Sequence, residues 1–110
     1  MPLQFLEFDL SEGTDGLRTW DALASPAADR TLALVSEVQA LLERLTQQLG
    51  PAGPLDEGHR WDMDLQIHDM AGKALPLDLT AVPAARITLA LSLGGGTELA
   101  QCLLPLTLAD

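Results

Sequence analysis

The sequence has few aromatic residues, one cysteine and no long apolar run. Among its 110 residues are two Trp, two Phe and no Tyr, so the interior must be built mainly from aliphatic side chains. Cys102 is the only cysteine, which excludes an intrachain disulfide. No apolar run reaches the roughly 18 residues that a membrane-spanning helix needs. The start of the chain lacks the basic and apolar regions of a secretion signal, so we expect a soluble cytoplasmic protein.

Positive charge is also scarce. Six Lys and Arg stand against 16 Asp and Glu, which gives a formal net charge of −10. Because such a charge repels phosphate, we expect binding neither to nucleic acid nor to an anionic membrane surface. A basic protein is the partner that this charge favours.

One segment has the residue spacing of a long helix. Its apolar residues over 35–49 recur at intervals of three and four, as on the buried face of an α-helix. Ser25 before Pro26 predicts a capped start, and Gly50 predicts the end. A shorter helix is predicted over 17–24, where the apolar residues also have helical spacing.

Other segments alternate apolar and polar residues, as half-buried strands do. The predicted strands cover 3–10, 60–70, 75–80, 86–93 and 98–108, with a glycine-rich hairpin turn joining the last two. This order predicts an α+β fold: a two-layer sandwich with a mainly antiparallel sheet of four or five strands. One long and one short helix should cover one face of the sheet, in a single domain over 1–110. The second face should be polar.

The segment RWDMDLQIHD, which begins at Arg60, raises the question of a metal site. Asp62, Asp64, Gln66 and His68 take alternate places and should point to the same side of a strand. One hypothesis is that Asp62, Asp64 and His68 bind a divalent ion in a metal-dependent, hydrolase-like enzyme. The alternative, which we favour, is a polar face exposed to water with nothing bound. No cofactor is predicted.

Several apolar residues fall on the side opposite to the predicted core. They are Leu3 and Phe5 in the first predicted strand, and Leu99 and Leu103 in the last. A patch made from them would favour self-association through strand edges or sheet faces, although a local bulge explains the last strand equally well. Trp20 is either an exposed interaction residue or, as we favour, part of the core.

No catalytic or nucleotide-binding motif is present in the sequence. The nucleophile pattern GxSxG and the phosphate-binding pattern GxxxxGK[ST] are both missing. The leading hypothesis is therefore a non-enzymatic domain that acts through protein association, as a homodimer or with a basic protein. The alternatives are the metal-dependent enzyme and a carrier of a small apolar ligand held between helix and sheet. The preference for Ala and Leu over Lys is typical of bacterial genomes rich in G and C.

Overall fold

The computed structural model describes residues 5–13, 16–78 and 85–107. Its main elements are β1 (Asp9–Glu12), β2 (Arg18–Ala24), α1 (Thr31–Leu49), β3 (Trp61–Asp69), β4 (Ile87–Gly95) and α2 (Thr97–Thr107). The four strands form one antiparallel sheet in the order β1-β2-β4-β3. The predicted α+β fold, with a four-stranded antiparallel sheet, one long helix and one short helix, is confirmed, but the short helix is α2 and not the segment for which it was predicted. Among the described residues, no helix has the length and hydropathy needed to cross a bilayer.

The core lies between one face of the sheet and the two helices. Its fully buried members include Leu34, Val35, Val38 and Leu45 of α1, Leu89, Leu91 and Leu93 of β4, and Leu99 and Leu103 of α2. Each buried leucine stabilises the fold by about 1.5–3 kcal/mol relative to an exposed one. Trp61 is also buried, and its indole N–H donates to the carbonyl of Gly50 at 2.8 Å. This bond joins the start of β3 to the end of α1.

The long helix α1 confirms the helical pattern of residues 35–49, but it begins later than predicted. Ser25 does not cap it; the Ser25 hydroxyl donates to the carbonyl of Ile87 at 2.8 Å. The hydroxyl of Thr31, the first residue of α1, donates to the carbonyl of Ala85 at 2.7 Å. The two hydroxyls therefore join the end of β2 and the start of α1 to the β4 region. Gly50 ends the helix at φ +85°, where a side chain would be strained.

The short helix predicted over 17–24 is wrong, because this segment forms strand β2. Trp20, Ala22 and Ala24 point into the core at alternate positions, whereas Leu23 is 70% exposed. All seven residues of β2 pair with β4. The helical spacing of its apolar residues favoured a helix, but pairing inside the sheet outweighs that local pattern.

The final strand predicted over 98–108 is also wrong, because this segment forms helix α2. Leu99 and Leu103 lie four residues apart, which places them on one face of a helix, and both are fully buried. In the predicted strand, Leu99 and Leu103 fell on the side opposite to the core, which suggested a bulge. Helical spacing explains their positions without a bulge. The glycine-rich segment forms no hairpin: β4 continues to Gly95 and α2 begins at Thr97.

The first strand lies later in the chain than predicted. β1 covers Asp9–Glu12 instead of 3–10, of which residues before Phe5 lie outside the described parts. The segment that leads into β1 is held by Glu37 of α1. The Glu37 carboxylate accepts hydrogen bonds from the backbone N–H of Phe5 at 2.9 Å and of Leu6 at 3.1 Å. A helix side chain thus satisfies backbone groups that were expected to bond within the sheet.

The described part of the segment predicted as a strand over 75–80 forms no strand; its last two residues lie outside the described parts. Its beginning instead covers the outer edge of β3. The backbone N–H of Asp69 donates to the carbonyl of Lys73 at 3.0 Å, and the backbone N–H of Leu75 donates to the carbonyl of Ile67 at 2.8 Å. One edge of the sheet is therefore partly covered, and β1 forms the other edge.

Candidate functional site

The second face of the sheet carries mostly polar side chains, and both described α-helices lie on the opposite side. We name it the open face. Its side chains are those of Asp9 and Ser11 in β1, Thr19, Asp21 and Leu23 in β2, Thr88, Ala90 and Ser92 in β4, and Asp62, Asp64, Gln66 and His68 in β3. Alternation along each strand places them on this side. The prediction of a polar second face is confirmed.

The strand register brings four aspartates together on the open face. Asp9 lies opposite Asp21, Asp21 lies opposite Ser92, and Ser92 lies opposite Asp64. Three carboxylates thus occupy one row across all four strands. Asp62, two residues before Asp64 on β3, lies in the neighbouring row. We name Asp9, Asp21, Asp62 and Asp64 the acidic cluster.

The acidic cluster surrounds a shallow concavity that is open to solvent. Asp9, Asp21 and Asp64 are exposed and line it, while Asp62 is half-buried beside it. The Ser92 hydroxyl donates to Asp21 from the neighbouring strand. The Asp62 carboxylate accepts a hydrogen bond from the backbone N–H of Met63 at 2.8 Å. These bonds orient two of the four carboxylates and leave their charge unneutralised.

Basic side chains in the described parts of the chain lie elsewhere. Arg18 pairs with Glu12 at 3.5 Å and Arg60 with Glu98 at 3.6 Å. The Arg86 guanidinium donates to the backbone carbonyl of Ser25 at 3.0 Å. Within residues 5–13, 16–78 and 85–107, no ion pair reaches the acidic cluster. The open face therefore presents a concentrated negative charge.

The structure places Asp62, Asp64 and His68, the predicted metal ligands, on the open face but does not bring them together. Four residues of extended strand separate His68 from Asp64 by about 13 Å, farther than two side chains and a shared ion can span. Among the described residues, no group of three or more His, Cys, Asp or Glu side chains could hold a metal ion. A metal site on these residues stays a prediction without geometric support.

The residues predicted for protein interaction lie mainly in the core. Trp20 is 6% exposed, as the favoured interpretation required, and Phe5 is half-buried against the core. Leu99 and Leu103 are fully buried, so the surface patch predicted there is wrong; α2 turns both side chains inward. Leu3 lies outside the described residues.

Sequence reasoning identified only two of the four aspartates in the acidic cluster. Asp21 was placed in a helix, and Asp9 was assigned to a strand that ended one residue later. Alternation of Trp20 with Ala22 was the signal that would have put Asp21 on the open face. The pairing of β2 with β4, which are distant in sequence, has no local signal and was needed to bring Asp21 near Asp64.

Comparison with models of known protein families, with curated proteins and with solved structures finds no match.

Proposed function

We propose that the chain is a non-enzymatic protein-association module whose open face binds a basic segment of another protein. The observation that carries the proposal is the acidic cluster, in which four aspartates from three strands share one exposed surface. A segment rich in Lys or Arg would relieve the repulsion among these carboxylates. The formal charge of −10 on the whole chain would also speed its approach.

The shape and chemistry of the open face favour binding over catalysis. General acid–base chemistry needs a positioned proton donor or acceptor, and most small-molecule sites are concave and partly apolar. Here the concavity is shallow, and its carboxylates at Asp9, Asp21 and Asp64 are exposed to water. His68 lies in a different row of the sheet. The metal-dependent enzyme and the apolar-ligand carrier gain no comparable support from the described residues.

A basic partner is also favoured over the homodimer that the sequence suggested. Two copies packed through their open faces would bring two acidic clusters into one interface. Like charges placed against each other oppose association by several kcal/mol unless cations separate them. A cationic segment meets the opposite condition, because each Lys or Arg that it brings finds an aspartate.

The proposal can be tested with a fluorescent oligolysine peptide as the probe, by fluorescence anisotropy. The double variant Asp21→Asn/Asp64→Asn removes two charges from the acidic cluster and preserves side-chain size. We expect it to bind the probe about tenfold more weakly than the parent chain, since exposed ion pairs contribute about 0.2–1 kcal/mol each. The matched control is Glu43→Gln/Glu57→Gln, which removes the same charge at exposed sites away from the open face.

The control variant should bind the peptide about as tightly as the parent chain, within about twofold. Equal weakening in both variants would mean that total charge alone attracts the probe, and it would contradict a site on the open face. Failure of the parent chain to bind the peptide at low salt would contradict the proposal entirely. Binding should weaken as salt is added, because the pairs are exposed.

A further inference from the structure

We infer that the basic segment binds as an added strand along β1, the edge of the sheet that the described residues leave uncovered. This inference rests on the proposed function, because it specifies how the partner of the acidic cluster docks. Addition of an extended segment to an exposed sheet edge is a common mode of peptide recognition, in which backbone hydrogen bonds give affinity and alternate side chains give specificity.

The two edges of the sheet differ in how the chain covers them. Along β3, the carbonyl of Trp61 accepts a hydrogen bond from Gly53 at 3.1 Å, and the N–H of Met63 is bonded to the side chain of Asp62. Residues 73–75 cover the far end of the same strand. By contrast, all four residues of β1 are exposed. The β1 edge is therefore the place where another strand can be added.

The register identifies the backbone groups that β1 presents at this edge. The N–H of Gly13 donates to the carbonyl of Leu17 at 2.7 Å, just beyond the paired strands. In an antiparallel ladder, hydrogen-bonded and non-bonded residue pairs alternate. Because Gly13 bonds toward β2, Ser11 and Asp9 also do so in the paired strands. The N–H and C=O groups of Leu10 and Glu12 therefore point outward, away from β2. They are the groups to which an incoming strand would bond.

The side chains of β1 define the kind of segment that fits. Asp9 and Ser11 lie on the open face, whereas Leu10 lies on the helix side and is 51% exposed. A residue added opposite Asp9 would have its Cβ within about 5.5 Å, so a Lys or Arg there could reach both Asp9 and Asp21. An apolar residue at the next position would cover Leu10. The expected segment alternates basic and apolar residues.

A second copy of this chain is the competing occupant of the β1 edge. Two β1 strands paired about a twofold axis would join two open faces side by side, with two acidic clusters and a formal charge of −10 on each copy. Charged side chains on an edge strand are a known means of opposing such self-pairing. The same charges attract a cationic strand, so they favour a basic segment over a second copy.

The first test compares two probe peptides of identical composition. One alternates lysine and valine, and the other has all its lysines before its valines. Both have the same charge, but only the alternating peptide can place lysines on the open face and valines over Leu10. We expect the parent chain to bind the alternating peptide about tenfold more tightly, as judged by fluorescence anisotropy.

The second test removes an outward hydrogen-bond donor from β1. Leu10→Pro deletes the N–H that an added strand would use and leaves the bonds between β1 and β2 in place, because proline is tolerated where the N–H faces solvent. Leu10→Ala is the matched control, since it shortens the side chain but preserves the N–H. We expect the proline variant to bind the alternating peptide about tenfold more weakly than the alanine variant, with far-UV circular dichroism showing an intact fold.

Equal binding of the two peptides by the parent chain would overturn strand addition and leave the basic-partner proposal standing. This comparison decides the inference even if Leu10→Pro fails to fold. Binding of neither peptide would overturn both proposals. A homodimer in light scattering that Leu10→Pro dissociates and Leu10→Ala does not would show that a second copy occupies the edge, and it would overturn the inference as well.

Discussion

Repulsion between Asp9 and Asp21 should destabilise the free protein, so we expect the substitution Asp9→Asn to stabilise it. The two residues are exposed and lie directly opposite each other on adjacent strands. In water, two unit charges about 6 Å apart repel by about 0.7 kcal/mol. Screening reduces this repulsion to about 0.3 kcal/mol at physiological salt, where the Debye length is about 8 Å, and to almost nothing in about 1 M salt.

Thermal unfolding at several salt concentrations measures the effect. Asparagine preserves the size and polarity of Asp9, so the lost charge is the main change. In about 10 mM salt the repulsion is almost unscreened, and Asp9→Asn should raise the free energy of unfolding by about 0.6 kcal/mol. For a domain of this size, that gain corresponds to a rise in melting temperature of about 2–5 °C. The rise should disappear in about 1 M salt.

The control is Glu43→Gln, which removes one charge from an exposed position of α1. If this variant gains as much stability as Asp9→Asn at every salt concentration, the effect comes from total charge and the local argument is refuted. A loss of stability in Asp9→Asn at low salt would refute it more directly. The same variant should bind oligolysine more weakly, so that stability and binding change in opposite directions.

Three further substitutions test the packing that supports the open face, each by the free energy of unfolding in urea. Trp61→Phe removes the indole donor to the end of α1 and part of a buried ring, and should cost about 2–3 kcal/mol; an unchanged value would show that neither the bond nor the packing contributes. Glu37→Ala should cost about 1–2 kcal/mol and speed amide hydrogen exchange in the segment before β1, which a role limited to surface charge would leave unchanged. Gly95→Ala should cost about 1–3 kcal/mol because the new Cβ would lie 2.9 Å from Leu99. Gly94→Ala meets open space and should cost far less, so equal losses at the two glycines would contradict the contact.

The elements that could be predicted from the sequence are those whose pattern has one interpretation. The step of three and four residues in α1 and the alternation in β3 each fit a single period, and the structure confirms both. In β2, Trp20 and Leu23 also fit a helix, and only pairing with β4 resolves the ambiguity. In α2, the spacing from Leu99 to Leu103 fitted both a bulged strand and a helix. Packing against α1 and β4, which no local pattern encodes, selects the helix.

The acidic cluster illustrates the same limit at the level of function. Asp9 and Asp21 are distant in sequence from Asp62 and Asp64, and the proximity of the two pairs follows from the order β1-β2-β4-β3. The acidic cluster adds little to the stability of the fold, because the open face makes few packing contacts and like charges on neighbouring strands repel each other. Neutral polar residues would satisfy a hydrated sheet face equally well. The proposed cationic segment would change this balance, because it would neutralise the charges and, by binding only the folded state, would stabilise the fold. The proposed binding of a cationic segment would therefore account for the acidic cluster, which the stability of the fold alone does not.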